Sequence, residues 1–93
     1  MTPLQEILKT KDAVLIDVRT PLEYKQEHVP GARNIPVEKI SSHIQELKMI
    51  KKPIVLYCMS GSRSAVALGI LKQSGLGNVY NGGSIQNVKF YLN

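Results

Sequence analysis

This chain has no tryptophan, one phenylalanine, one cysteine and two histidines among its 93 residues. A lone cysteine cannot close an intramolecular disulfide, so no disulfide framework holds the fold. His28 and His43 lie far in sequence from Cys58 and from each other, without the ligand spacing of a structural zinc site. No apolar run approaches the roughly 18 residues that suggest a membrane span. The opening residues, MTPLQEILKTKDAVLIDV, lack the basic segment leading into an apolar one that marks a secretory signal. Repeats, low-complexity tracts and linkers are also missing. These absences lead to the expectation of one cytoplasmic domain over 1–93, its thiol kept reduced. It is expected to act as a monomer, without metal, organic cofactor or membrane partner.

What is present is ordinary for a small globular protein: 43% hydrophobic and 20% charged residues, with a net charge of +5. A positive field steers small anions toward the surface. The basic residues are scattered, KTK and KK being their densest groups. No alternation of basic and aromatic residues marks a nucleic-acid face, and no nucleic-acid partner is expected.

Helix starts are legible. Thr2-Pro3-Leu4-Gln5 and Thr20-Pro21-Leu22-Glu23 each offer a threonine N-cap, proline at the first helical position and a glutamine or glutamate closing a capping box. AVLIDV and IVLYC are short apolar runs rich in branched residues, the pattern of parallel strands covered on both faces. Val37, Ile40, Ile44 and Leu47 recur at spacings that predict one amphipathic helix. Ala65 to Leu71 is apolar almost all round, which predicts a buried helix, with Gly75 placed to stop it at C′. NVYNGG reads as a last strand, and Ile85, Val88 and Leu92 as a closing helix. Strands alternating with helices imply an α/β sandwich around a central, mostly parallel sheet.

The stretch CMSGSRS, Cys58 to Ser64, then joins the C-terminal end of a buried strand to a helix N-terminus. In open α/β sheets this is the edge where ligands bind. Small residues and a glycine let successive N–H groups converge into an anion nest, the helix N-terminus adds about half a positive charge, and Arg63 adds a whole one. A thiol so placed is pushed toward the thiolate, which is a resident nucleophile. The commoner fate of a lone cysteine is an inert place in the core; glycine, arginine and helix start in register weigh against it here. Cys58 is therefore the expected catalytic residue, with Met59, Ser60, Gly61, Ser62, Arg63 and Ser64 as the anion-binding cradle.

From Ala13 to Gly83, the segments LIDVRTPLEYKQEHVPGARNIP and PIVLYCMSGSRSAVALGILKQSGLGNVYNGG resemble a single-domain rhodanese, the thiosulfate-type sulfurtransferase family. The resemblance implies the three-layer α/β fold of that family. It also implies a persulfide on Cys58, formed by attack on the sulfane sulfur of a small anionic donor such as thiosulfate, or of a thiol persulfide. The sulfur would pass to cyanide, a thiol or a protein acceptor. Related cell-cycle phosphatases and arsenate reductases place five residues between cysteine and arginine, a wider cradle for a tetrahedral oxyanion. Here four separate Cys58 from Arg63, which favours sulfur transfer. The remaining rival is a non-catalytic docking or regulatory domain, against which the intact cysteine and complete loop argue.

The chain departs from the family at three points. Thiosulfate-using members often carry a basic residue directly after the cysteine, where Met59 stands. Many have glycine before the histidine, where Glu27 stands, and many have a tryptophan shortly after the double glycine, where this chain has SIQN. Outside the loop, His28 is expected to shape a turn and satisfy backbone groups, because an ionised thiolate needs no base. His43 is expected in solvent on the middle helix, Asp17 and Arg19 as a supporting pair beside the loop, and Tyr57 and Tyr80 as wall residues. Gly82 and Gly83 are expected where the backbone takes positive dihedrals or passes close to the pocket.

Overall fold

The computed structural model describes residues 1–93 and contains four strands: β1 (Val14–Asp17), β2 (Arg33–Asn34), β3 (Ile54–Cys58) and β4 (Val79–Ser84). They form one sheet in the order β2-β1-β3-β4, every pair parallel. Around it pack α1 (Pro3–Thr10), α2 (Pro21–Gln26), a 3₁₀ segment (Val37–His43), α3 (Ile44–Lys48), α4 (Ser62–Gln73) and α5 (Ile85–Leu92). The apolar runs AVLIDV and IVLYC are the two central strands, as their composition predicts. The short edge strand β2 has no such run to announce it.

All five residues of β3 are buried, yet the strand still alternates. Ile54, Leu56 and Cys58 enter one core with Ile16, Ile40, Leu47, Ala67 and Leu71, the layer of the 3₁₀ segment, α3 and α4. Val55 and Tyr57 enter the other with Leu8, Val29, Ile85 and Val88, the layer of α1 and α5. Two apolar faces on one strand are what a sheet covered by helices on both sides requires. The architecture is the three-layer α/β sandwich expected from the sequence.

Both capping boxes form. Thr2 accepts from the Gln5 amide while Gln5 accepts from the Thr2 amide, and Thr20 and Glu23 do the same. After α4 the Gly75 amide bonds Lys72 O and the Leu76 amide bonds Leu71 O, the paired arrangement of a Schellman stop.

Two expectations need correction. The stretch from Val37 to Leu47 is not one amphipathic helix; its first seven residues wind as a 3₁₀ segment before α3 begins. Ser42 Oγ donates to Lys39 O at 2.8 Å and His43 Nδ1 lies 3.1 Å from the same carbonyl. Such local side-chain bonds compete with the α-helical ladder. Helix α4 is also not buried all round: Ser64, Ala67 and Leu71 face the core, while Val66 is 58% exposed. Small and apolar residues on its outer face conceal its one-sided burial from a reading by composition.

Candidate active site

The C-terminal ends of β1 and β3 lie side by side, with Asp17 paired to Tyr57 in register. At β1, Asp17 is fully buried and receives the Arg19 guanidinium through Nε at 3.0 Å and Nη2 at 2.7 Å. The Arg19 amide donates to the same carboxylate, and Asn34 Nδ2 ties down the Asp17 and Arg19 carbonyls. This is the expected supporting pair. It fixes the neighbouring strand end and presents no free charge.

At β3, Cys58 is fully buried, beneath exposed Met59 and Ser60. The chain turns sharply at Gly61, the N-cap of α4, with φ of +98°. A Cβ there would lie 3.3 Å from Gly83 Cα, so glycine serves both the left-handed backbone and the close approach to β4. No side chain caps α4. Instead the Gly61 amide points at Cys58 Sγ, 2.9 Å away, and Ser64 Oγ lies 3.5 Å from the sulfur.

Burial pushes the Cys58 thiol up, and the Ser64 hydroxyl with the amides of Ser64, Gly61 and Ser60 pulls it down; the pull wins. Helix N-termini lower thiol pKa values in this way. Of the loop amides, that of Gly61 makes the hydrogen bond to the sulfur.

Arg63 is placed differently from a free anion ligand. Its Nη1 and Nη2 hold the two Glu23 carboxylate oxygens at 2.7 and 3.0 Å. Its pKa is raised first by that hydrogen bond, and more weakly by the charge of Cys58. The guanidinium is engaged by Glu23 and makes no hydrogen bond to the sulfur. Glu23 is thus shared: one carboxylate closes the capping box of α2 and anchors Arg63 from α4, and these bonds, Arg63 first and the Thr20 amide second, hold it down to about 2. The capping box was visible in the sequence; the partner 40 residues away was not.

Asn81 was also missed. Its Oδ1 lies 2.7 Å from Ser64 Oγ and accepts from the Gly83 amide at 2.8 Å, while its Nδ2 donates to Gly61 O. Nothing in an asparagine before a double glycine announces that it backs a loop on another strand. The glycines themselves divide the expected roles. Gly83 takes a φ of +82°, and a Cβ on Gly82 would collide with Val55 Cγ1 at 2.7 Å.

Other candidates lie apart from the sulfur. His28 stacks on Tyr24 at 3.7 Å between ring centroids and donates through Nδ1 to Tyr24 O, the turn-shaping role expected of it. Tyr57 is a buried wall residue whose hydroxyl accepts from the Val29 amide; burial above all pushes that hydroxyl well up from its ordinary value. Two hollows, of about 180 and 550 Å³, are lined by no residue of the Cys58–Ser64 loop.

Known proteins are similar to this chain in sequence and in fold. A sulfurtransferase of Allochromatium vinosum is 39% identical over 77 residues, covering 83% of this chain and 71% of its own length. The thiosulfate sulfurtransferase PspE of Escherichia coli is 39% identical over 74 residues, with 78% and 71% covered. A solved Escherichia coli structure described as a rhodanese with anions superposes with a TM-score of 0.74 at 37% identity, covering 81% of this chain and 89% of that one. The sequence profile of the Rhodanese-like domain matches residues 1–88, and this chain belongs to that family.

Proposed function

We propose that Cys58 carries sulfur as a persulfide between a donor and an acceptor. The chain is a sulfurtransferase. The Cys58 thiolate attacks the sulfane sulfur of a small anionic donor such as thiosulfate; a sulfur–sulfur bond forms, the donor's own breaks, and its electron pair leaves with sulfite. A nucleophile (cyanide, a thiol or a protein thiol) then attacks the outer sulfur, and Cys58 departs as the thiolate. No redox or metal step is needed. The Gly61 amide, with the Ser64 hydroxyl beside the sulfur, favours the Cys58 thiolate that opens and closes the cycle.

The observation that carries this reading is the Gly61 N–H directed at Sγ over 2.9 Å from a helix that has no side-chain cap. The donors that a structural helix start would satisfy with its own residue are left for the sulfur. The reading includes action as a monomer in a reducing compartment such as the cytoplasm, where a lone thiol stays reduced.

The test is direct. The protein is incubated with thiosulfate, freed of donor and weighed intact. A gain of one sulfur atom is expected, discharged by cyanide as thiocyanate and missing in Cys58→Ser, whose hydroxyl carries no persulfide. Sulfur gained by the serine variant, or a substantial turnover remaining in it, would exclude Cys58 as the carrier.

A further inference from the structure

The Ser64 hydroxyl has one proton and three acceptors within reach. Asn81 Oδ1 is 2.7 Å away, Gly61 O is 3.1 Å away and Cys58 Sγ is 3.5 Å away. The shortest contact is to the amide of Asn81. An amide oxygen cannot donate, so this contact requires the serine proton to lie on the Asn81 side. Gly61 O, meanwhile, is already served by Asn81 Nδ2 at 3.2 Å.

We propose that Asn81 is a positioning residue that sets the acidity of Cys58 by competing with its sulfur for the Ser64 hydroxyl proton. While Cys58 is a thiol, its S–H donates to Ser64 Oγ and the serine O–H donates to Asn81 Oδ1. When the thiol ionises, the proton leaves to solvent and the serine O–H turns to the sulfur. Asn81 Oδ1 then keeps only the Gly83 amide as its donor. The serine's help to the thiolate comes at the cost of its bond to Asn81, which holds the nucleophile back from the acidity that the loop could otherwise reach. The consequence for turnover rests on Cys58 being the sulfur carrier proposed above; the contest for the proton does not.

The charged groups near this contest sit elsewhere. Arg63 of α4 is paired with Glu23 of α2, and Arg19 with Asp17 beside β1. Tyr57 of β3 is buried and uncharged at working pH. Strand β4 carries no charge, and Lys89, the one charged residue of α5, meets Glu27. A neutral change at Asn81 leaves all of these in place.

The rate of thiol alkylation against pH is measured for the full chain, Asn81→Leu, Ser64→Ala and the double variant. Leucine has the same branched skeleton as asparagine and offers no acceptor. Asn81→Leu is expected to lower the apparent thiol pKa by about half a unit, roughly threefold more thiolate at a pH well below it. Ser64→Ala is expected to raise the pKa, and the double variant to match Ser64→Ala alone. An unchanged or raised pKa in folded Asn81→Leu, or a lowering that persists without Ser64, overturns the proposal. If Asn81→Leu does not fold, the wild type still decides. The side-chain amide resonances of Asn81 should titrate with Cys58, and should cease to do so in Ser64→Ala. Resonances indifferent to Cys58, or titrating equally without Ser64, also overturn it. Alkylation uses no sulfur donor, so a protein that never gains sulfur would refute the transfer reading and leave this one standing.

Discussion

Two strand-to-helix junctions stand beside each other on the C-terminal edge of the sheet, and they treat the same helix-start problem in opposite ways. From β1 into α2, Thr20 and Glu23 satisfy the first amides with their own side chains, and Asp17 and Arg19 neutralise each other in the interior. From β3 into α4, the N-cap is a left-handed glycine without a side chain, and its own amide faces Cys58. A helix N-terminus is an anion site by default. The first junction fills it with the protein's own groups; the second keeps it for the sulfur. The comparison predicts that damage to the closed junction shows in stability, whereas damage to the open one shows in thiol chemistry.

The largest expected effect is at the closed junction. Arg19→Met leaves Asp17 buried without its partner, which typically costs about 3 to 5 kcal/mol. That is a large part of the stability of a small domain. The denaturant midpoint should fall steeply, and adding Asp17→Asn should restore part of it, because the uncompensated charge is then gone. If Arg19→Met unfolds at the wild-type midpoint, the pair does not support this edge.

At the open junction Gly61→Ala forces a Cβ into the left-handed region and against Gly83. Strain of this kind costs about 1 to 3 kcal/mol. Its sharper signature is chemical. Relaxing the turn moves the Gly61 amide off Sγ, so the apparent thiol pKa, read from alkylation against pH, should rise toward that of a free cysteine. A destabilised variant with an unchanged thiol would mean that the amide contact is incidental to acidity.

The difference between the junctions also governs what the sequence could disclose. Local rules suffice for the closed one: threonine, proline and glutamate within four residues spell a capped helix, and that helix forms. They suffice for the two central strands and for the Gly75 stop as well. They fail where the deciding contact is distant in sequence. Glu23 meets Arg63 across 40 residues and Ser64 meets Asn81 across 17, so a reading that placed Arg63 freely in the cradle could not see its guanidinium already held. They fail again at Val37 to His43, where Ser42 and His43 compete for a carbonyl that an apolar period does not reveal.

A smaller effect separates the roles that Glu23 joins. Its carboxyl is held down to about 2, against an ordinary value of 4.5. A depressed carboxylate contributes stability that is complete above its unfolded pKa and is lost as pH falls through its folded one. Wild-type stability should therefore decline between about pH 4.5 and 2, and Glu23→Gln should flatten that part of the profile. The pair is partly exposed, so a loss of about 1 kcal/mol at neutral pH is expected, in line with a cap and a surface ion pair together. Comparing it with Thr20→Ala isolates the Arg63 part. Only Glu23→Gln frees the guanidinium, so only that variant should lower the Michaelis constant for thiosulfate; equal kinetics in the two would show that the ion pair does not restrain Arg63.

The smallest effect belongs to the rim of the open junction. Met59 follows Cys58, is 53% exposed and brings no charge, while the nearest guanidinium in the loop is held by Glu23. On the proposed reading, a dianionic donor meets a loop whose guanidinium is already paired, with little attraction at its entrance. Met59→Arg should lower the Michaelis constant for thiosulfate and leave turnover nearly unchanged, since a rim charge gathers the donor without altering the alignment of the breaking sulfur–sulfur bond. An exposed charge pair near 4 Å contributes about 1 kcal/mol, roughly fivefold, and the gain should shrink as salt is raised. Met59→Gln supplies polarity without charge. If glutamine helps as much as arginine, or if salt leaves the arginine gain intact, the methionine acts through its shape, and the amides alone set how the open junction receives its donor.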